Sequence, residues 1–227
     1  VTQIVASELR GKLPVISSIV CEGIGEAKVH ARMAKEAGAA GLDVMPPHHW
    51  LRFGYRPDHV RHYFDAIAEA GLDLIAHVYP AWTRASYSTT VMADLARHPA
   101  VQAFKVGQRD MNKYAADIAA VRAADPSKAI LTCHDEYLLA SMVQGVDGAL
   151  VGFATFIPNL IADLWQAVKD GDLKRAMQLQ FEINPLKAGN AEAVIGELAV
   201  RPPTEAPTEA EMQLLRAAVA QAGLLKR

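Results

Sequence analysis

The stretch Ala100-Val-Gln-Ala-Phe-Lys105, followed by Val106-Gly107, decides how this chain is read. It is an apolar run that ends in a cation and a glycine, too short for a typical helix and of the length of a buried strand. Asp110 then stands where a helix N-cap is expected, and an amphipathic segment runs on to Ala124. If strand alternation holds, Val101, Ala103 and Lys105 share one face. Pointed into a barrel, that face would set the Lys105 amine above a dry floor. There desolvation would lower its pKa toward a nucleophilic free base. The competing reading is a lysine that marks a strand end and snorkels to solvent.

The same unit repeats outward from this point. Strands are expected at Leu13–Ile19, Gly41–Met45, Leu72–Tyr79, Ala100–Lys105, Ala129–Cys133 and Gly148–Phe153. Between them lie helical patterns at Glu26–Ala37 (stopped by Gly38), Pro57–Ala70, Thr89–Arg97, Asp110–Ala124 and Glu136–Val143. Pro158 opens a further helix toward Lys169, and the rest is helical apart from Arg201-Pro-Pro-Thr-Glu-Ala-Pro207. That stretch reads as a loop feeding a final helix at Glu209–Ala222. Six strand–helix units imply parallel strands with crossover helices, in a doubly wound sheet or a β/α barrel. No GxGxxG or P-loop pattern follows a strand. Polar residues instead gather at strand ends (His48, His49, His77, Tyr79, Lys105, His134, Asp135), where a barrel enzyme builds its site. The barrel is the favoured fold.

Composition narrows the class. The chain has 227 residues, a formal net charge of −2 and two cysteines, Cys21 and Cys133, without paired spacing. These features give no electrostatic case for nucleic acid or an acidic membrane surface, and they argue against a disulfide framework. No apolar run approaches a membrane span. A soluble cytoplasmic enzyme without a cofactor is expected.

His77 and Tyr79, two apart in a strand, project to one face as candidate proton-transfer groups; the alternative is an inert, hydrogen-bonded barrel mouth. Arg84, near Trp82 and Thr83 in the following loop, suits a grip on a substrate carboxylate. A metal site built from His48, His49, His77, His134 and Asp135 is a further option, but none of the pairs has ligand spacing that sharpens it. In an extended chain His48 and His49 would point to opposite faces, so only one would serve as a natural ligand. Gly145-Val-Asp-Gly148 precedes a strand and reads as a tight turn rather than a phosphate loop.

Taken together, these residues resemble the dihydrodipicolinate synthase / N-acetylneuraminate lyase family across essentially the whole chain. The resemblance is carried by Leu13-Pro-Val-Ile16, Ala34-Lys-Glu-Ala-Gly-Ala-Ala-Gly-Leu-Asp-Val-Met-Pro-Pro47, Phe64–Ala70, Leu95–Lys105 and Ala167–Leu173, in that order and spacing. It implies a (β/α)8 barrel with extra C-terminal helices, commonly assembled as tetramers, that acts on pyruvate-type 2-keto acids through a lysine imine. Lys105 then takes the imine-forming role. The segment His77-Val-Tyr-Pro80 stands where the family has Tyr-Asn-x-Pro, so His77 occupies the usual tyrosine position and Tyr79 is available for the phenol's work. His48 and His49 replace a tyrosine pair, and Arg84 is the nearest candidate for a displaced arginine. Cys133, Leu150 and Gly152 line the expected substrate side.

The family's first two βα units, with their Gly-Thr-Thr-Gly-Glu turn, have no counterpart here. The strands therefore number as third to eighth of a parent barrel, with Val1–Arg10 the end of its second helix, and the given chain is expected to be incomplete. The expected division is a partial barrel over residues 1–170 and a helical extension over 171–227. The expected function is a class I lyase, aldolase or hydro-lyase on a 2-keto acid, working as a homo-oligomer. The competing classes are a metal-dependent aldolase or hydrolase and an inactive barrel relic that serves as a binding subunit.

Overall fold

The computed structural model describes residues 1–78, 87–188 and 208–221. Six strands form one sheet in sequence order: β1 (Ile16–Ile19), β2 (Gly41–Val44), β3 (Asp73–Val78), β4 (Val101–Val106), β5 (Ala129–Thr132) and β6 (Gly148–Ala149). The first four pair in parallel, as crossover connections require. Two compact units divide within β5, Val1–Leu131 and Thr132–Arg227.

In the first unit, α1 (Thr2–Leu9) precedes β1, and α2 (Ile24–Glu36) links β1 to β2. A five-residue helix, α3 (His49–Phe53), and then α4 (Pro57–Ala68) link β2 to β3. After β3 come α5 (Thr89–Ala96), capped by the Ser88 hydroxyl, and, after β4, α6 (Met111–Ala124), capped by the Asp110 carboxylate as expected. The short helix α3 was not expected; Pro46-Pro47 ends β2, and His48 already has helical dihedrals. Gly38 terminates α2 at φ +91°, a left-handed geometry suited to glycine, and a Cβ there would come within 3.1 Å of the Ala6 methyl.

The strand register sorts this unit's residues into two faces. Ile19, Leu42, Val44, Leu74, Ala76, Val78, Val101, Phe104 and Val106 are almost wholly buried. They form one face, since register partners across a ladder point the same way. A side chain of Leu or Phe size contributes about 1.5–3 kcal/mol when fully buried, so this face holds the sheet in place. The opposite face is different in kind. It carries Ser18, Asp43, Ile75, His77, Ala103 and Lys105.

The expected grouping of Val101 with Ala103 and Lys105 is corrected here. Leu74 pairs with Val101 but Ile75 pairs with Ala103, leaving Gln102 as an extra residue in β4. Val101 therefore joins the apolar face, while Ala103 and Lys105 stay together on the other.

In the second unit, a 3-10 turn (Asp135–Tyr137) leads into α7 (Leu138–Met142), and α8 (Pro158–Lys169) is followed by α9 (Leu173–Ile183) and α10 (Glu209–Gln221). The buried amide of Gln180 organises this unit: its oxygen accepts the Leu139 N–H (2.9 Å), and its nitrogen donates to the Asp135 carbonyl (3.0 Å) and to Asn184 Oδ1 (2.8 Å). The strand expected at Gly148–Phe153 is only two residues long, because Gly152–Thr155 turns into a 3-10 helix. Asp135 Oδ1 accepts the Phe153 N–H at 3.0 Å, which holds the chain in that turn rather than in a ladder. Among the described residues, no helix is long and apolar enough to cross a membrane.

Candidate active site

The polar face of the first unit carries a connected set of groups. Ser18 on β1 donates to Asp43 Oδ2 at 3.3 Å, and the same oxygen lies 2.9 Å from His77 Nδ1. Asp43 and His77 are each only 4% exposed. On the next strand, Lys105 is the direct register partner of His77. Three neighbouring strands thus bring a carboxylate, an imidazole and an amine onto one face, where parallel pairing keeps adjacent side chains about 5 Å apart. A carboxylate in so buried a place must be compensated, and His77 supplies that. The pair fixes the ring: with Nδ1–H donated to Asp43, the basic nitrogen is Nε2. Asp43 Oδ1 is buried and makes no hydrogen bond among the described residues, so the carboxylate is committed to His77 and Ser18.

Lys105 lies one residue before the end of β4 and is half-buried, as a residue at a barrel mouth should be. Tyr79 and Arg84, the other expected catalytic and carboxylate-binding groups, lie outside the described residues.

His48 and His49 behave differently from the extended-chain expectation. Both rings converge on Glu22: His48 Nδ1 meets Oε1 and His49 Nδ1 meets Oε2, each at 2.9 Å, and both backbone N–H groups donate to the same carboxylate. They point together because His48 sits in the αR region at the start of α3, where successive side chains diverge by about a third of a turn rather than half. Partial desolvation works to raise the Glu22 pKa, but the donors from His49 and His48 outweigh it and bring it down to about 2. His49 also lines a cavity of about 260 Å³ with Trp50, His59, His62, Tyr63 and Glu22. His77 and Lys105 are not among its described lining residues.

In the second unit, Cys133 is buried at the end of β5, and the Leu150 N–H donates to the Thr132 carbonyl at 2.8 Å. Gly152 opens the 3-10 helix beside Asp135, whose carboxyl is pushed up by burial against the pull of the Phe153 N–H. His134 is buried next to it. Among the described residues, the metal-ligating side chains that gather in a group of three are Cys21, Glu26 and His30, none of them the rim histidines considered above.

Asp43, Ser18 and Glu22 escaped the sequence reading. For Asp43 a signal existed: a lone charge within the apolar run Gly41-Leu-Asp-Val-Met45, in a strand whose four residues are all buried. A charge in such a place needs a partner, and the register supplies His77.

The comparisons agree with this architecture. The Dihydrodipicolinate synthetase family model matches residues 1–199. A 4-hydroxy-tetrahydrodipicolinate synthase of Acidiphilium cryptum is 30% identical over 245 aligned residues, covering 99% of this chain and 80% of that protein. The corresponding enzyme of Methanospirillum hungatei is 26% identical, over 82% of this chain and 62% of its own length. An N-acetylneuraminate lyase of Escherichia coli is 26% identical, over 81% and 60%. The chain thus spans about three-fifths of the length of the last two. Among solved structures, a monomeric dihydrodipicolinate synthase variant superposes with a TM-score of 0.90 at 19% identity, covering 98% of this chain and 78% of that one. Escherichia coli YagE, solved with pyruvate, gives 0.87 at 21% identity, covering 98% and 80%. The fold is therefore of the TIM-barrel type, with six strands and C-terminal helices among the described residues. By sequence and by fold, the chain belongs to the dihydrodipicolinate synthetase family.

Proposed function

We propose that this protein is a class I lyase, aldolase or hydro-lyase on a pyruvate-type 2-keto acid, with Lys105 as the imine-forming amine. The observation that carries this reading is the register pairing of Lys105 with His77, whose Nδ1 is held by the buried Asp43. The relatives' names and the pyruvate bound by YagE support the substrate class.

In this reading the Lys105 amine adds to the C2 carbonyl carbon of the keto acid, giving a carbinolamine. His77, protonated at Nε2, delivers a proton to the departing hydroxyl, and water leaves as the iminium forms. In cleavage a base takes the proton of the C4 hydroxyl, C4 leaves as an aldehyde and the iminium accepts the C3–C4 electron pair as an enamine. In dehydration a base takes the C3 proton and the enamine expels the C4 hydroxyl, which leaves as water. Returning a proton to C3 and adding water regenerates the amine and the keto acid. Asp43 stabilises the imidazolium whenever His77 holds the proton. The proposal extends to Tyr79 as a second proton carrier and Arg84 as a carboxylate ligand.

Borohydride reduction in the presence of pyruvate tests the reading. A stable adduct on Lys105, found by peptide mass spectrometry and absent in Lys105→Ala, is expected. A folded protein that gains no adduct at Lys105 would overturn it.

A further inference from the structure

On the outer side of β1, Cys21 Sγ lies 3.2 Å from His30 Nδ1, and the Glu26 carboxylate completes a group whose ligand atoms all lie within 4.8 Å of one another. Glu26 and His30 are one turn apart on α2, four residues in sequence, so the helix itself aims them at the same point. Cys21 comes from the loop after β1, and its backbone is fixed from another side by the Tyr63 hydroxyl, which donates to the Cys21 carbonyl at 3.4 Å.

We propose that Cys21, Glu26 and His30 bind a thiophilic divalent cation of the zinc class, with water in the fourth position. A simple thiol–imidazole hydrogen bond would account for the 3.2 Å contact. It makes no use of the Glu26 carboxylate, which the first turn of α2 holds within 4.8 Å of both atoms. Sulfur, imidazole nitrogen and carboxylate oxygen are the donor types of a zinc site, and thiolate ligation disfavours calcium and magnesium. One thiolate and one carboxylate balance the charge of a divalent ion.

The distances suit the ion as well. Tetrahedral ligands at about 2.3 Å (sulfur) and 2.0 Å (nitrogen) stand roughly 3.5 Å apart, so His30 needs to move by only a few tenths of an ångström, while the Glu26 carboxylate, within 4.8 Å of both, closes on the ion by rotation of its exposed side chain. His30 and Glu26 are exposed, which gives an ion a path from solvent. Glu22, the next acidic residue, does not compete, because His48 and His49 occupy both of its oxygens. The bound ion staples the loop after β1 to α2.

Cobalt(II) titration of the reduced full chain tests this. The expected result is a near-ultraviolet thiolate-to-cobalt charge-transfer band with tetrahedral visible bands, abolished by zinc and absent in Cys21→Ser. In His30→Ala and Glu26→Gln, both at exposed positions where unfolding is not a concern, affinity should fall by at least about 10-fold, a loss already usual for groups that only support a ligand. No charge-transfer band, or one that survives in Cys21→Ser, would overturn the proposal. So would unchanged affinity in both helix variants. Lys105 is untouched by these substitutions, so the outcome is independent of the lyase reading.

Discussion

His77 Nδ1 and Asp43 Oδ2 lie 2.9 Å apart on the polar face of the sheet, both side chains almost completely buried. This contact joins β2 to β3 on the face that also carries Lys105. It gives the imidazole one orientation and one preferred tautomer. Asp43→Asn preserves the shape but removes the charge. If His77 moves protons for the imine, kcat falls by roughly 10²-fold and the alkaline or acid limb of its pH profile moves, while KM for the keto acid changes little. Steady-state kinetics across pH would show this; an unshifted profile would reduce Asp43 to a structural role.

Lys105 breaks the apolar pattern of its own strand, since its half-buried amine stands among Ala103, Phe104 and Val106 and must be partly desolvated there. Groups kept for function commonly cost stability. Lys105→Met should therefore abolish turnover and leave the thermal midpoint unchanged or raised. Calorimetry beside an activity assay would check it; a large drop in midpoint would mean that the lysine is holding the structure.

Glu22 offers a pH test with a definite sign. Its folded pKa, about 2, lies below the ordinary 4.5, so the carboxylate stabilises the fold above pH 4.5. That contribution drains away as pH falls from 4.5 toward 2. The side chain is half exposed, which limits the effect to about 1 kcal/mol or less. Glu22→Gln should lower stability at neutral pH by that amount and converge with the parent near pH 2 in denaturant titrations.

In the second unit, Gln180→Leu takes the partner from the Leu139 N–H and from the Asp135 carbonyl at once. Leucine fills much the same space, so the cost is that of orphaned polar groups, about 1–3 kcal/mol. Urea unfolding should show a lower midpoint with an unchanged slope. A midpoint within error of the parent would show that water replaces the amide without loss.

The fold was legible because its cues are local. Pro57, Asp110 and Gly38 mark helix ends through their own side chains or lack of one, and apolar runs mark strands wherever neighbours bury both faces. Lys105 was legible for the same reason, as a cation closing an apolar run. Asp43 was not, because its importance depends on which residue of β3 faces it, and register is a property of the assembled sheet. The shortened β6 was missed because the turn at Gly152 is held by Asp135, seventeen residues earlier in the chain.

Gln102, the extra residue of β4, gives the strand a place where its length can change. Pairing upstream of it is in phase with Leu74 and pairing downstream with Ile75, so deleting it would leave Ala103 and Lys105 facing as they do now. One residue lost or gained between Ala103 and Lys105 would instead turn the amine over to the helix side, away from His77. Insertions and deletions on one side of Ala103 thus keep Lys105 beside His77, and those on the other side separate the two.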